Sequence, residues 1–366
     1  MPDQLIKANE EILLNEIIKT KNSLATDRMD ISFGEIMAMY ERDEIIINPT
    51  FQRLFRWSIP QRTRFLESLL LGIPIPPIFV AEDQNGKWEL VDGMQRITTF
   101  LSFFGVLKTL TEKNKWVLSK GELIESLENY DCDTIPLKMN LNLKRAFCRI
   151  EIVKWNSIMD IRYELFNRLN TGGSPLTNQE IRNCIFRGTS SGFNDFLSRM
   201  ASDKTLIDLI QPTERQKEEK YLEEVVLRFV SLLNNEWKNP GNWKNTGDRL
   251  STYMTLFMKR TVANSEFDFA GVESLLRRVL VLLNPLGSKV FRGSNNIFST
   301  SIYDGITIGL ASNIDYYEGI GRTQIETKIH ELIVNPDFIK NMGAGSSTKN
   351  RVINRIEVSL DVFKHE

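Results

Sequence analysis

Histidine is nearly absent from this chain. Its 366 residues contain two, His330 and His365, too few for a histidine-rich metal centre, an HNH-type nuclease site or a Ser-His-Asp triad. Cysteine is also scarce. Cys132, Cys148 and Cys184 form no CxxC pair, so neither a disulfide framework nor a zinc knuckle is indicated, and buried thiols in a reducing compartment are expected. No excess of charge exists either, because 46 Lys and Arg balance 47 Asp and Glu to a net −1. A positive site for nucleic acid or an anionic membrane must therefore be local. The longest apolar stretch, residues 65–80, is broken by Glu67, Gly72 and three prolines well short of the roughly 20 residues that span a bilayer. The first residues lack a basic segment followed by an apolar run and a cleavage site, so the expectation is a cytoplasmic protein with an amphipathic helix at its start.

What remains is a globular composition, 42% hydrophobic and 25% charged, in a chain whose texture changes near residue 190. Before it, short β-like runs alternate with helical ones. Residues 31–47 read as a helix or strand leading into a strand, residues 78–93 as a hairpin around Asn85-Gly86, and residues 145–155 as a further strand. Residues 58–72 read as a helix with Ser58 as N-cap, Pro60 in the first turn and Gly72 at the end. Beyond residue 190 the apolar period is helical, as in Leu222, Val225, Val226, Phe229 and in Leu250, Tyr253, Met254, Phe257. Residues 272–283 are apolar nearly all round and are expected to form a central helix, with further helices over 323–334 and 349–363 and a loop at 343–347. The expected organisation is a helical extension over 1–30, an α/β domain over 31–190 and an all-helical domain over 191–366, an α+β protein as a whole.

Three segments carry candidate chemistry. The first runs from Trp88 through Asp92-Gly93-Met94-Gln95-Arg96 to Thr98, Thr99 and Leu101. A strand, a glycine and a helix start make an anion site, because the first-turn N–H groups and the helix dipole favour a phosphate. Arg96 would add a bidentate donor, Gln95 a hydrogen bond to ligand or water, and Thr98 or Thr99 a hydroxyl. The same residues equally fit a plain Asp-Gly turn with an exposed arginine. The second segment interleaves Arg53 and Arg56 with Phe51, Phe55 and Trp57, after Gln52, a pattern that can pair phosphates and stack a base or simply pin a loop. The third holds Asn170-Thr171-Gly172-Gly173, followed by Thr177 and Glu180, whose spacing is that of a capping box. Near the C-terminus Lys349, Arg351 and Arg355 cluster on a helix, read as a solvated face. His330 has no sequence partner and reads as a surface residue.

Taken in order and spacing over about residues 30–190, these segments resemble the N-terminal domain of the GmrSD class of restriction enzymes, whose hallmark is a DGQQR motif on a ParB/sulfiredoxin-like fold. The resemblance implies an NTP-binding, NTP-hydrolysing component of a prokaryotic restriction or anti-phage defence system. By the same resemblance Asp92, Gln95 and Arg96 are catalytic candidates; Gln52, Arg53, Arg56, Trp57, Gly93, Met94, Thr98, Thr99, Asn170, Thr171 and Gly172 would line the nucleotide; and Asp92 is the candidate Mg²⁺ ligand. Two departures matter. Position 94 is Met where the motif has Gln, and the histidines needed for the nuclease domain of complete enzymes are missing. The implied partners are a nucleotide, DNA and a separate nuclease or methyltransferase subunit, with a homo-oligomer left open. The alternative reading is a DNA- or partner-binding regulatory module without NTPase activity; autonomous nuclease action comes third. On the leading reading, Arg96→Ala is expected to abolish nucleotide binding without unfolding the chain.

Overall fold

In a computed structural model, residues 12–21, 25–47, 57–154, 176–187, 191–233, 236–244, 246–264, 266–293 and 296–365 are described. The chain divides into two compact units, residues 1–176 and 177–366, and the division falls earlier than the change of texture near residue 190.

The first unit is mixed α/β. After a helix α1 over residues 12–21, the order is β1 (Thr26–Ser32), α2 (Phe33–Glu41), β2 (Ile45–Ile46), α3 (Ile59–Leu71), β3 (Ile78–Glu82), β4 (Trp88–Asp92), α4 (Met94–Phe103), α5 (Leu137–Arg145) and β5 (Phe147–Val153). The strands make one sheet in the order β1-β5-β3-β4-β2. β1 runs antiparallel to β5 and β3 antiparallel to β4, whereas β3 with β5 and β2 with β4 are parallel. Because β1 starts at Thr26, the sheet reaches back across the expected boundary at residue 30. β5 alternates along its length: Cys148, Ile150 and Ile152 are buried, while Phe147 and Arg149 face outward. A strand covered on one face has that pattern, and the buried side chains join Phe33, Leu66, Phe100 and Leu101 in one core.

Local signals hold where expected. The β3–β4 hairpin turns at Gly86, whose φ of 78° is left-handed, and Asp83 Oδ1 accepts from the N–H groups of Asn85 and Lys87. α3 begins after Ser58, whose N–H donates to Gln61 Oε1 at 2.9 Å, and ends at Gly72 in the left-handed conformation. Cys132 and Cys148 are buried free thiols.

The second unit is helical. The helix over residues 272–283 is observed as Phe269–Leu283, but it is not central: Val281 is 68% exposed and Arg277 and Arg278 bind surface carboxylates. The enclosed helix is instead Thr300–Ser312, buried from Ser301 to Ala311. Its polar residues hid it from a reading by apolar period. Asp304 is fully buried yet satisfied, because Arg228 Nε donates to its Oδ1 at 2.9 Å and Arg355 Nη2 to its Oδ2 at 2.6 Å. Gly305 and Gly309 make room for neighbours: a Cβ on them would lie 2.7 Å from Phe338 and 2.4 Å from Phe363. Arg355 is therefore core, not part of a solvated basic face, while Arg351 donates to the carbonyls of Met342 and Ala344. His330 lies exposed on the helix Arg322–Val334. Among the described residues, no helix is long and apolar enough to cross a membrane.

Candidate functional site

The site grows from the β4–α4 junction. Trp88 to Val91 are buried, so the strand is fixed by the core and delivers Asp92 to its end. Gly93 then takes φ 97°, a left-handed turn that a side chain strains. Space demands glycine as well, since a Cβ would lie 2.9 Å from Ile78 Cγ1. α4 starts at Met94, with Ile97 N–H donating to the Gly93 carbonyl at 3.0 Å. No side chain caps this helix, because its N-cap residue is glycine. The first turn of α4 thus has no capping side chain.

Arg96 does not reach out from this turn. Its side chain is 10% exposed and folds beneath Gly93, where Nη1 donates to the carbonyls of Pro76 and Pro77 and Nη2 to Asp92 Oδ2 at 2.9 Å. Burial pulls its pKa downward and the Asp92 carboxylate opposes that shift. The guanidinium is thus a strut joining the turn to the segment that enters β3. Removing Arg96 is therefore expected to destabilise the fold, since a buried fork with three acceptors supports it.

Gln95 is likewise engaged. Its Oε1 accepts from the Trp57 N–H at 3.1 Å, which ties this turn to the segment just before α3. Trp57 packs 5.7 Å from Phe65, and its carbonyl accepts from Arg62 Nε at 3.0 Å. Met94 packs against the core. Thr98 and Thr99 are buried, and the Thr98 hydroxyl donates to the Met94 carbonyl at 2.8 Å, so it faces into the helix and not toward solvent. Asp92 stays partly open, its side chain 39% exposed with Oδ2 on Arg96. Among the described residues, no group of three or more His, Cys, Asp or Glu could hold a metal.

The structure thus brings Trp57, Asp92, Gly93, Met94, Gln95 and Arg96 together. Gln52, Arg53, Arg56, Asn170, Thr171 and Gly172 lie outside the described residues. Thr177 and Glu180 form the capping box that their spacing predicts, with Glu180 Oε2 accepting from Thr177 N–H at 2.7 Å. Sequence reasoning passed over Arg62 and Trp116, whose guanidinium and indole face each other at 5.6 Å. The interleaving of Lys113, Lys115 and Trp116 is the same kind of signal that singled out Arg53 to Trp57.

Residues 33–187 match the family model described as GmrSD restriction endonuclease, N-terminal domain. No curated protein and no solved structure matches the chain.

Proposed function

Residues 33–187 constitute a domain of the GmrSD N-terminal family, and from that premise we propose that the chain is the nucleotide-handling component of a restriction or anti-phage defence system. On this reading the sheet and helices of the first unit serve as a ParB/sulfiredoxin-like scaffold, and a triphosphate is held at the start of α4. The observation that carries it is the uncapped helix start behind a left-handed Gly93. Such an end presents the positive pole of the helix dipole to an anion.

The division of labour within the motif differs from a simple clamp. Backbone amides of the first turn hold phosphate, Arg96 holds the turn, and Gln95 holds Trp57. A nucleotide carries Mg²⁺ with its phosphates, and Asp92 fits as the one protein carboxylate beside them, since Mg²⁺ commonly uses one or two carboxylates plus substrate oxygens. Turnover is expected to be slow, because Met94 offers no amide to orient water and the Gln95 oxygen already has a donor. Catalysis of this kind is positioning and electrostatics.

Gln95→Glu tests the site. The glutamate keeps an acceptor for Trp57 N–H and suits the helix dipole, so the fold is retained, while its charge repels phosphate. Calorimetric titration of a nucleoside triphosphate should show affinity falling at least about tenfold, the equivalent of ~1.4 kcal/mol. Unchanged affinity would refute the helix-start assignment.

A further inference from the structure

The sheet of the first unit ends on two unequal edges. β2 is two residues long, whereas β1 runs for seven and pairs only with β5 among the described strands. That pairing leaves half of the β1 backbone facing outward. The Ala25 carbonyl accepts from Lys154 N–H and Phe33 N–H donates to the Ala146 carbonyl, so the odd-numbered residues bond to β5. Thr26, Arg28, Asp30 and Ser32 then point their N–H and C=O groups away from the sheet. The Arg28 N–H is held at the surface by Asp27 Oδ1 at 2.8 Å. A long open edge is a template for another strand.

The side chains of β1 specify which strand fits. An antiparallel pair with a two-fold axis at Met29 sets each Arg28 opposite Asp30 of a second copy, and each Thr26 opposite Ser32. Within one chain Arg28 is in register with Glu151, and Asp30 with Arg149, whose Nε donates to it at 3.0 Å. Joining two edges therefore makes a row of alternating sign across four strands: Glu151, Arg28, then Asp30 and Arg149 of the second copy. Asp30 is still 55% exposed and free to take the second arginine. Sliding the register by two residues either way sets Arg28 against Arg28 or Asp30 against Asp30, so charge selects this one alignment. Apolar surface is matched as well. Met29, 41% exposed, meets its own copy on the axis. Phe147, 69% exposed and in register with Ser32, comes beside the Thr26 end of the second copy, which α1 precedes with five apolar side chains from Ile12 to Ile18 more than half exposed.

From this self-complementarity we infer that the chain forms a two-fold dimer by antiparallel pairing of its β1 edges, with Arg28 and Asp30 crossing the interface twice. The interface is remote in kind from the α4 helix start and stands whether or not that turn binds a nucleotide.

Analytical ultracentrifugation of the full chain at high micromolar concentration should give twice the mass of one chain. Arg28→Asp and Asp30→Arg each set like charges across both contacts and should raise the dimer dissociation constant at least about tenfold. Both side chains are exposed, so circular dichroism should stay that of the parent. An equimolar mixture of the two variants should regain the parent's affinity, because each supplies the charge the other lacks. Arg28→Pro removes an N–H that β5 does not use and should likewise leave single folded chains. A parent that sediments as one chain overturns the proposal. So does a dimer that the charge variants leave intact, or a loss that the mixture does not repair, since either places the interface elsewhere.

Discussion

Removing the Arg96 side chain separates a phosphate clamp from a structural strut. Its side chain is 10% exposed and bonds the carbonyls of Pro76 and Pro77 and the Asp92 carboxylate. In Arg96→Ala the aliphatic stem leaves a void comparable to truncating a buried Met, which costs ~2–5 kcal/mol. Each charge-assisted hydrogen bond adds ~1.5–3 kcal/mol in a dry site. That second contribution must be discounted here, because Asp92 is 39% exposed and Pro76 is at the surface, so water can take over two of the three acceptors. Deletion also removes the desolvation cost of the buried guanidinium. The net loss is about 3 kcal/mol, which for a unit of this size lowers Tm by roughly 6–12 °C. Thermal melts followed by circular dichroism measure it, with Asp92→Asn as a companion that keeps an acceptor and should cost under ~1 kcal/mol. Calorimetric titration of a triphosphate, at a temperature where both proteins are folded, should give Arg96→Ala within about threefold of the parent's affinity. An Arg96→Ala protein that melts with the parent but no longer binds nucleotide would refute the strut and restore the clamp.

Two further outcomes follow from the buried ionisable groups. In the helical unit, burial alone would raise the Asp304 carboxyl, but Arg228 and Arg355 outweigh it and hold it below its ordinary value of 3.8. A carboxyl with a depressed folded pKa stabilises fully above the unfolded value and loses that contribution as pH falls below it. Asp304→Asn strands two buried guanidiniums and should cost about 3–5 kcal/mol by urea unfolding at neutral pH, with the gap from the parent narrowing in acid; equal midpoints would contradict it. Burial pushes the Cys148 thiol up to about 12, against the opposing pull of Arg96, so mass spectrometry should find it unmodified by iodoacetamide at mildly alkaline pH until urea is added.

Much of this molecule was legible along the chain, because the deciding physics is short-range. The Asn85-Gly86 hairpin, the helix from Ile59 to Gly72, the strand–glycine–helix junction at Gly93 and the Thr177–Glu180 box each depend on residues within a few positions of one another. Burial of polar residues was not legible. Apolar periodicity marked residues 272–283 as central, yet Thr300–Ser312 is the enclosed helix, since Asp304 has two arginines from distant helices and Gly305 and Gly309 admit two phenylalanines.

The motif divides in the same way. Sequence alone determined that a glycine stands between a strand and a helix, and therefore that a helix start without a side-chain cap follows Asp92, because backbone geometry follows from adjacent residues. Which way Arg96 and Gln95 point was decided only by the tertiary structure. Their partners, the carbonyls of Pro76 and Pro77 and the amide of Trp57, lie between 19 and 38 residues away. A side chain with several donors goes where buried acceptors need it, and those acceptors exist only once α3, β3 and α4 have packed.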